Sequence, residues 1–175
     1  MGNLFQRLKP NPKAFNRSSA CLLLDTSGSM DEDDGAGRRI DLLKKALAEV
    51  VDIKSIPTFA FDSVVVKLTS VLEIHEPRGF TDMAKAFNEV RRYGYTNLIL
   101  VTDGYPDNAE QALNAAIGMC IDIVYVGPEP IPRFLQRLAD QCQGTLQIGK
   151  LADVKAITRT ITGLLPDYSR KVLCG

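Results

Sequence analysis

Two short apolar runs are each followed within two residues by an aspartate, and this feature constrains the fold more than any other in the chain. The first run is 20–24 and is followed by Asp25, and the second is 98–101 and is followed by Thr102 and Asp103. Short apolar runs without polar alternation are typical of strands buried on both faces, as in a parallel sheet. Because parallel strands end at the same edge of a sheet, we expect both aspartates to lie at that edge.

Extended and helical patterns alternate along the chain. Strands are predicted at 20–24, 57–61, 64–68, 97–101, 120–126 and 145–148, and helices at 40–51, 83–90, 108–117, 131–142 and 154–164. Only two residues separate the second and third strands, which predicts a hairpin. The order predicts an α/β fold of three layers, α-β-α. It is doubly wound and Rossmann-like, with a mostly parallel six-stranded sheet and one antiparallel edge strand.

The length and charge of the chain limit its class. Its 175 residues suit one domain, which we expect at 19–165, after a lead-in segment (1–18) and before a tail (166–175). The 21 basic residues balance the 21 acidic ones, so the excess positive charge typical of nucleic-acid binding is missing. No apolar stretch approaches the roughly 20 residues that cross a bilayer. We therefore expect neither nucleic acid nor membrane as a partner.

The cysteines and the first residues favour a cytoplasmic protein. The four cysteines are Cys21, Cys120, Cys142 and Cys174, and none of them forms a CxxC pair. The N-terminal residues lack the pattern of a secretory signal, so these thiols are expected to be reduced. The chain has a single histidine, His75, which disfavours catalytic systems that depend on histidine and is expected in a surface loop.

Five oxygen-bearing side chains are predicted at the carboxyl edge of the sheet. They are Asp25, Ser27 and Ser29 in the motif Asp-Thr-Ser-Gly-Ser, together with Thr81 and Asp103. Carboxylate and hydroxyl oxygens are the ligands that hard divalent cations prefer. The set predicts one Mg²⁺ site, which Mn²⁺ or Ca²⁺ would also fit. Since only two of the ligands can carry negative charge, the cation would keep some positive charge.

Together these segments resemble the metal-ion-dependent adhesion site of von Willebrand factor A domains, and the likeness extends over 19–165. In that family Ser27, Ser29 and Thr81 would bind the metal directly or through water, while Asp25 and Asp103 would act mostly through water. A carboxylate from a protein partner often fills the open position. The resemblance implies a binding module and no enzyme. Within that family, the chain is similar to stand-alone cytosolic members from bacteria and phages, such as tellurite-resistance-type proteins.

The surroundings of the predicted site suggest how a partner would be held. Met30, Phe80 and Tyr105 flank the three ligand segments, and we expect them to form an apolar rim around the cation. A partner Asp or Glu would then complete the metal shell. The chain is expected to be monomeric when isolated and to serve as a scaffold or adaptor in a cytosolic complex.

Simpler interpretations apply to each motif taken alone. Ser27 and Ser29 would also serve as helix caps, and Asp103 with Gly104 would also form a turn. The acidic run 31–34 is either a solvated loop or a collar of charge around the site. Asp107 and Glu110 resemble a capping box that opens the third helix.

The alternative function is Mg²⁺-dependent phosphoryl transfer, because an aspartate after the first strand also occurs in phosphatases. One such class needs a second aspartate two residues later, and this chain has Ser27 there. The chain also lacks the GxxxxGK[ST] pattern of a phosphate-binding loop. The sequence therefore favours binding over catalysis.

Overall fold

The computed structural model describes residues 20–50, 56–149 and 153–164. Its strands are β1 (Ala20–Asp25), β2 (Thr58–Phe61), β3 (Val65–Leu68), β4 (Asn97–Thr102), β5 (Cys120–Tyr125) and β6 (Leu146–Ile148). Its α-helices are α1 (Arg39–Glu49), α2 (Met83–Arg92), α3 (Ala109–Ala115), α4 (Arg133–Cys142) and α5 (Val154–Leu164). The order agrees with the prediction, whereas the predicted lead-in and tail, with Cys174, lie outside the described residues.

The six strands form one sheet in the order β3-β2-β1-β4-β5-β6. β1 pairs in parallel with β2 and β4, and the parallel pairing continues to β5 and β6. β3 alone is antiparallel, because the short turn after β2 returns it along the same edge. The predicted mostly parallel sheet with an antiparallel edge strand is confirmed.

The side chains of β1 alternate between two hydrophobic cores, one on each face of the sheet. Cys21 and Leu23 pack in the core that includes side chains of α2, α3 and α4. Leu22 and Leu24 pack in the core that includes side chains of α1 and α5. All residues of β1 are buried, which explains why its sequence is continuously apolar. The three-layer arrangement is confirmed.

The register of the central strands sets the place of the candidate site. Leu24 of β1 lies opposite Val101 of β4, so Asp25 and Thr102 are neighbours at the carboxyl end of these strands. Asp25 also lies opposite Phe61, the last residue of β2. The loops that follow β1, β2 and β4 therefore leave the sheet from the same edge. In a doubly wound sheet, such an edge is where ligands bind.

The start of α3 differs from the prediction. The cap is Asn108, whose Oδ1 accepts a hydrogen bond from the Gln111 backbone N–H at 3.0 Å. The predicted capping box of Asp107 and Glu110 is therefore wrong by one residue. Asp107 contacts the candidate site instead, as described below.

The described thiols are free, and each has a raised pKa. Burial raises the pKa of Cys21 to about 12. It also raises the pKa of Cys142 to about 11, and that of the half-buried Cys120 to about 11, where the charge of Asp122 adds to the effect. None of the helices in the described ranges has the length and apolar character needed to cross a membrane.

Candidate metal centre

Asp25 anchors the first loop of the site. It is the last residue of β1 and is fully buried. Its Oδ1 accepts a hydrogen bond from the Ser27 N–H at 2.9 Å, and its Oδ2 accepts one from the Thr102 hydroxyl at 2.6 Å. A short 3-10 turn over Gly28–Asp31 follows. The aspartate thus fixes the direction in which the chain leaves the sheet.

The two serines of the motif connect this loop to Asp103. The hydroxyl oxygens of Ser27 and Ser29 lie 3.3 Å apart. The Ser29 hydroxyl donates a hydrogen bond to Oδ1 of Asp103 at 2.8 Å. The simpler interpretation of Ser27 as a helix cap is wrong, since its side chain makes no cap hydrogen bond to the 3-10 turn. Three of the predicted ligands are therefore in one chain of contacts.

Thr81 is buried and lies on a loop that is held against the first one. The Gly28 N–H donates to the Gly79 carbonyl at 3.4 Å. Gly79 has a φ of +66°, a conformation that favours glycine. On the other side, Oδ1 of Asp107 accepts a hydrogen bond from the Thr81 N–H at 3.3 Å. Backbone contacts on two sides thus set the position of Thr81.

A polar cluster supports the loop before Thr81. The Arg78 N–H donates to the Thr26 carbonyl at 3.1 Å, and its guanidinium Nε lies 3.2 Å from Oδ2 of the buried Asp62. His75 is half-buried, with Nε2 3.3 Å from the Thr26 hydroxyl and 3.6 Å from Asp62. His75 lies in a loop, as expected, but it is only partly exposed and packs between two loops of the site.

Burial makes negative charge costly at both aspartates. The pKa of Asp25 is raised to about 6, first by burial and then by the charge of Asp103, although hydrogen bonds from Ser27 and Thr102 oppose the shift. Burial also raises the pKa of Asp103, against the hydrogen bonds from Ser29 and Arg39. Burial of two carboxylates, with the charge of Asp103 acting on Asp25, suits this pair to a cation.

The donor set fits a hard cation held mainly by neutral oxygens. Among the described residues, no group of three or more His, Cys, Asp or Glu side chains converges, so hydroxyl oxygens would supply the remaining ligands. Ser27, Ser29 and Thr81 offer hydroxyl oxygens, and Asp25 and Asp103 offer carboxylate oxygens. Oxygen-only sites of this kind suit Mg²⁺, Mn²⁺ or Ca²⁺.

Arg39 lies inside the candidate site, although no motif in the sequence indicates this position. Its side chain is only 3% exposed and pairs with Asp103, which is 1% exposed, at 2.9 Å between Nη1 and Oδ2. Nη1 also donates to the Ser29 carbonyl at 3.1 Å. The guanidinium forks onto Asp34, with Nε at 2.7 Å and Nη2 at 2.8 Å from its oxygens. Nη2 also lies 2.8 Å from Glu32.

The acidic run 31–34 is therefore not only a solvated loop, because three of its side chains form ion pairs with Arg38 and Arg39. Asp34 and Glu32 neutralise Arg39 from its outer side, and the arginine keeps the pKa of Asp34 below its usual range. Asp31 pairs with the neighbouring Arg38 at 2.8 Å. A signal for this arrangement exists in the sequence, since four acidic residues precede two arginines at the start of a predicted helix.

Two of the three residues predicted to form the rim are exposed. Phe80, directly before Thr81, is 70% exposed, and Tyr105, two residues after Asp103, is 63% exposed. Met30, by contrast, is fully buried in the core shared with α1 and α5. Its assignment to the rim is wrong, because the 3-10 turn directs this side chain into the protein.

Comparisons with known proteins bear on the fold. No protein-family model matches the chain, and no curated protein sequence matches it. Among solved structures, it resembles a von Willebrand factor type A protein from Catenulispora acidiphila, with a TM-score of 0.63 and 19% identity over 83% of this chain. The match spans 41% of that protein's length.

Two further structures show the same likeness. The SpRpn10 VWA domain aligns with a TM-score of 0.57 and 12% identity, covering 78% of this chain and 92% of that one. Proximal thread matrix protein 1 from the mussel byssus also aligns with a TM-score of 0.57, at 17% identity, covering 83% of this chain and 44% of that one. The chain described here thus has the fold of a von Willebrand factor type A domain.

Proposed function

We propose that this protein is a metal-dependent protein-binding module, in which Mg²⁺ at the carboxyl edge of the sheet recruits an acidic residue of a partner. The observation that carries the proposal is the contact chain from Ser27 through Ser29 to Asp103. It joins oxygen donors from two loops that follow different strands. Neighbouring structures with the same fold support an interaction module in general.

The residues that would hold the cation are Ser27, Ser29, Thr81, Asp25 and Asp103. When bound, Mg²⁺ would supply a positive charge that attracts one more anionic oxygen. The protein's own contribution is to fix the donors beforehand. The Ser27 N–H and the Thr102 hydroxyl hold both oxygens of Asp25, so this carboxylate keeps one orientation.

The same contacts argue against phosphoryl transfer. A nucleophilic aspartate must itself contact the phosphorus atom, whereas Asp25 is fully buried and held by hydrogen bonds to both oxygens. A role on a cation through water does not require such direct contact. The residue that would act as acid and base in one class of phosphatase is Ser27, which has no suitable pKa. The geometry therefore favours binding over catalysis.

The partner and the setting are also part of the proposal. The exposed rings of Phe80 and Tyr105 would pack against a protein partner, while its Asp or Glu reaches the metal. Free thiols at Cys21, Cys120 and Cys142 are compatible with a reducing cytoplasm. A scaffold or adaptor role, like that of stand-alone tellurite-resistance-type members of the family, follows from the sequence resemblance.

Titration calorimetry with Mg²⁺ tests the metal site directly. We expect the wild type to bind one ion and Ser27→Ala to bind it much more weakly. Ser70→Ala is the control, since the Ser70 hydroxyl caps a 3-10 turn over Val71–Glu73 and makes no contact with the site. Equal binding by Ser27→Ala and the wild type would contradict the assignment. Release of phosphate from phosphomonoesters in the presence of Mg²⁺ would instead support the alternative function, phosphoryl transfer.

Partner recruitment needs a second experiment. The wild type and Ser27→Ala serve as baits in a lysate of the source cells, each with Mg²⁺ and with EDTA. We expect a protein that the wild type retains in Mg²⁺ and loses in EDTA, and that Ser27→Ala does not retain in either condition. Retention that ignores both EDTA and the substitution would place recognition on another surface.

A further inference from the structure

We propose that Arg39 is a resident counter-charge of the candidate metal centre, which fixes Asp103 and lowers the affinity of the free protein for Mg²⁺. The inference rests on the proposed metal-dependent function and concerns how that site is regulated. It assigns Arg39 as a positioning residue, because the guanidinium acts on the metal through Asp103. Arg39 begins α1.

The guanidinium has no freedom to leave the site. Four hydrogen bonds and one further ion-pair contact hold the Arg39 side chain. The acceptors are Asp103 Oδ2, the Ser29 carbonyl, both oxygens of Asp34 and Oε2 of Glu32. Because the side chain is buried, water cannot replace these contacts at low cost. The positive charge is therefore a permanent part of the site.

The position of Asp103 depends on this contact. Arg39 holds Oδ2, while Oδ1 accepts the Ser29 hydroxyl. The carboxylate is thus divided between the arginine on one side and the predicted ligand Ser29 on the other. Removing the arginine would leave the Oδ2 of a buried carboxylate without a partner, which raises the demand for another cation.

The charge balance gives the direction of the effect. Asp25 and Asp103 carry two negative charges when ionised, and Arg39 returns one positive charge. A bound Mg²⁺ would then leave the buried part of the site with one net positive charge, which an acidic partner residue would neutralise. A divalent cation and a fixed guanidinium near the same carboxylate repel each other, so Arg39 should lower the affinity of the site for Mg²⁺.

Asp34 and Glu32 modulate this repulsion from outside. They are more exposed than Asp103, with side-chain exposures of 33% and 64%. Each offsets part of the charge of Arg39. Removing either one should make the potential at the metal position more positive, and so weaken cation binding. Removing Arg39 and removing one of its outer partners should therefore change the Mg²⁺ affinity in opposite directions.

The first experiment compares Arg39→Gln with Arg38→Gln by Mg²⁺ calorimetry. Arg38 is a matched control, since it is the adjacent arginine but pairs with Asp31, Asp41 and Glu76 away from Asp103. We expect Arg39→Gln to bind Mg²⁺ about tenfold more tightly than the wild type. Arg38→Gln should stay within about twofold, because its charge is exposed and screened.

A second pair keeps the test informative if Arg39→Gln does not fold, which circular dichroism would reveal. Asp34→Asn removes an outer partner of Arg39, and Asp31→Asn removes an exposed partner of Arg38 as its control. We expect Asp34→Asn to bind Mg²⁺ about threefold more weakly, and Asp31→Asn to match the wild type. Equal effects of the two asparagine variants would overturn the inference.

The outcomes separate this inference from the proposed function. If the wild type binds Mg²⁺ and a folded Arg39→Gln binds it equally or more weakly, Arg39 merely supports Asp103 and the counter-charge is refuted. If only Arg39→Gln binds Mg²⁺, the inference holds and the metal-dependent function of the wild type fails. If neither binds, both fail.

Discussion

Asp107 and Thr81 hold each other through two hydrogen bonds. The Thr81 N–H donates to Oδ1 of Asp107 at 3.3 Å, and the Asp107 N–H donates to the Thr81 carbonyl at 3.1 Å. This pair links the loop after β4 to the loop before α2. A residue that looks like a helix cap in the sequence thus secures a candidate metal ligand.

Asp107→Ala should therefore weaken metal binding. We expect the loss of the side-chain contact to cost about 1 kcal/mol, or roughly fivefold in Mg²⁺ affinity, because Thr81 becomes less well fixed. Calorimetry measures the change. Asn108→Ala is the matched neighbour: it should lower the free energy of unfolding by about 1 kcal/mol through loss of the α3 cap, with unchanged Mg²⁺ affinity. The reverse pattern would contradict the assigned roles.

Mg²⁺ should stabilise the folded protein, because a ligand that binds only the native state shifts the unfolding equilibrium. At a concentration about 100 times its dissociation constant, the gain is about 2.7 kcal/mol. We expect a higher melting temperature in Mg²⁺ than in EDTA for the wild type, and no difference for Asp25→Ala. Asp140→Ala, at an exposed helix position, should keep the full difference. A Mg²⁺ shift retained by Asp25→Ala would argue against the site.

The exposed aromatic residues should contribute to partner binding and not to the metal. Phe80→Ala or Tyr105→Ala is expected to cost about 2 kcal/mol, some thirtyfold in partner affinity, because each ring would lose its packing area. Surface binding to the captured partner measures this effect, and calorimetry should show unchanged Mg²⁺ affinity. Ile117→Ala is a control of similar exposure beyond the end of α3. If Ile117→Ala loses partner binding, the partner contacts a different surface from the one that contains Phe80 and Tyr105.

Met30 should matter for stability alone. Truncation to alanine in the fully buried core is expected to lower the free energy of unfolding by about 2–5 kcal/mol, as measured by urea titration. Met30→Leu conserves volume and should cost less than about 1.5 kcal/mol. A small effect of Met30→Ala on the free energy of unfolding, with a large effect on partner affinity, would contradict the core position and support a place for Met30 in the partner-binding surface.

The described thiols should react slowly and with a steep dependence on pH. The thiolate is the reactive form, and pKa values raised to about 12 for Cys21 and about 11 for Cys142 leave on the order of a thousandth or less of each as thiolate at pH 8. Their rates should rise about tenfold for each pH unit up to their pKa. Mass spectrometry of labelled peptides measures the rates. We expect Cys174 to react faster. A plateau below pH 9 at Cys21 would contradict the raised pKa.

The sequence predicts the architecture well because its strongest signals are local. The apolar runs at 20–24 and 98–101 are typical of strands buried on both faces. Only two residues separate the predicted strands 57–61 and 64–68, which favours the hairpin that β2 and β3 form. Once the strands are parallel, Asp25 and Asp103 must end at one edge. That is why the neighbourhood of the candidate ligands follows from the pattern.

The errors concern side-chain direction and long-range pairing, which no local pattern specifies. Met30 lies beside a predicted ligand in the chain, but the 3-10 turn points it into the core. Arg39 has the appearance of a solvated residue at the start of a helix, and only the folded arrangement brings it to Asp103. Asp107 satisfies a capping pattern as well as Asn108 does, so tertiary contact decides between them.

Ser29 and Asp103 are 74 positions apart in the chain, and their contact exists only when β1 and β4 lie side by side. No fragment that ends before β4 contains both halves of the site. A proteolytic cut between α1 and α2 would separate the first loop from the remaining donors, even though each piece keeps its own residues intact. If calorimetry confirms the proposed cation binding, that binding would report on the complete fold and show whether a truncated or rearranged version of this chain has assembled its central sheet.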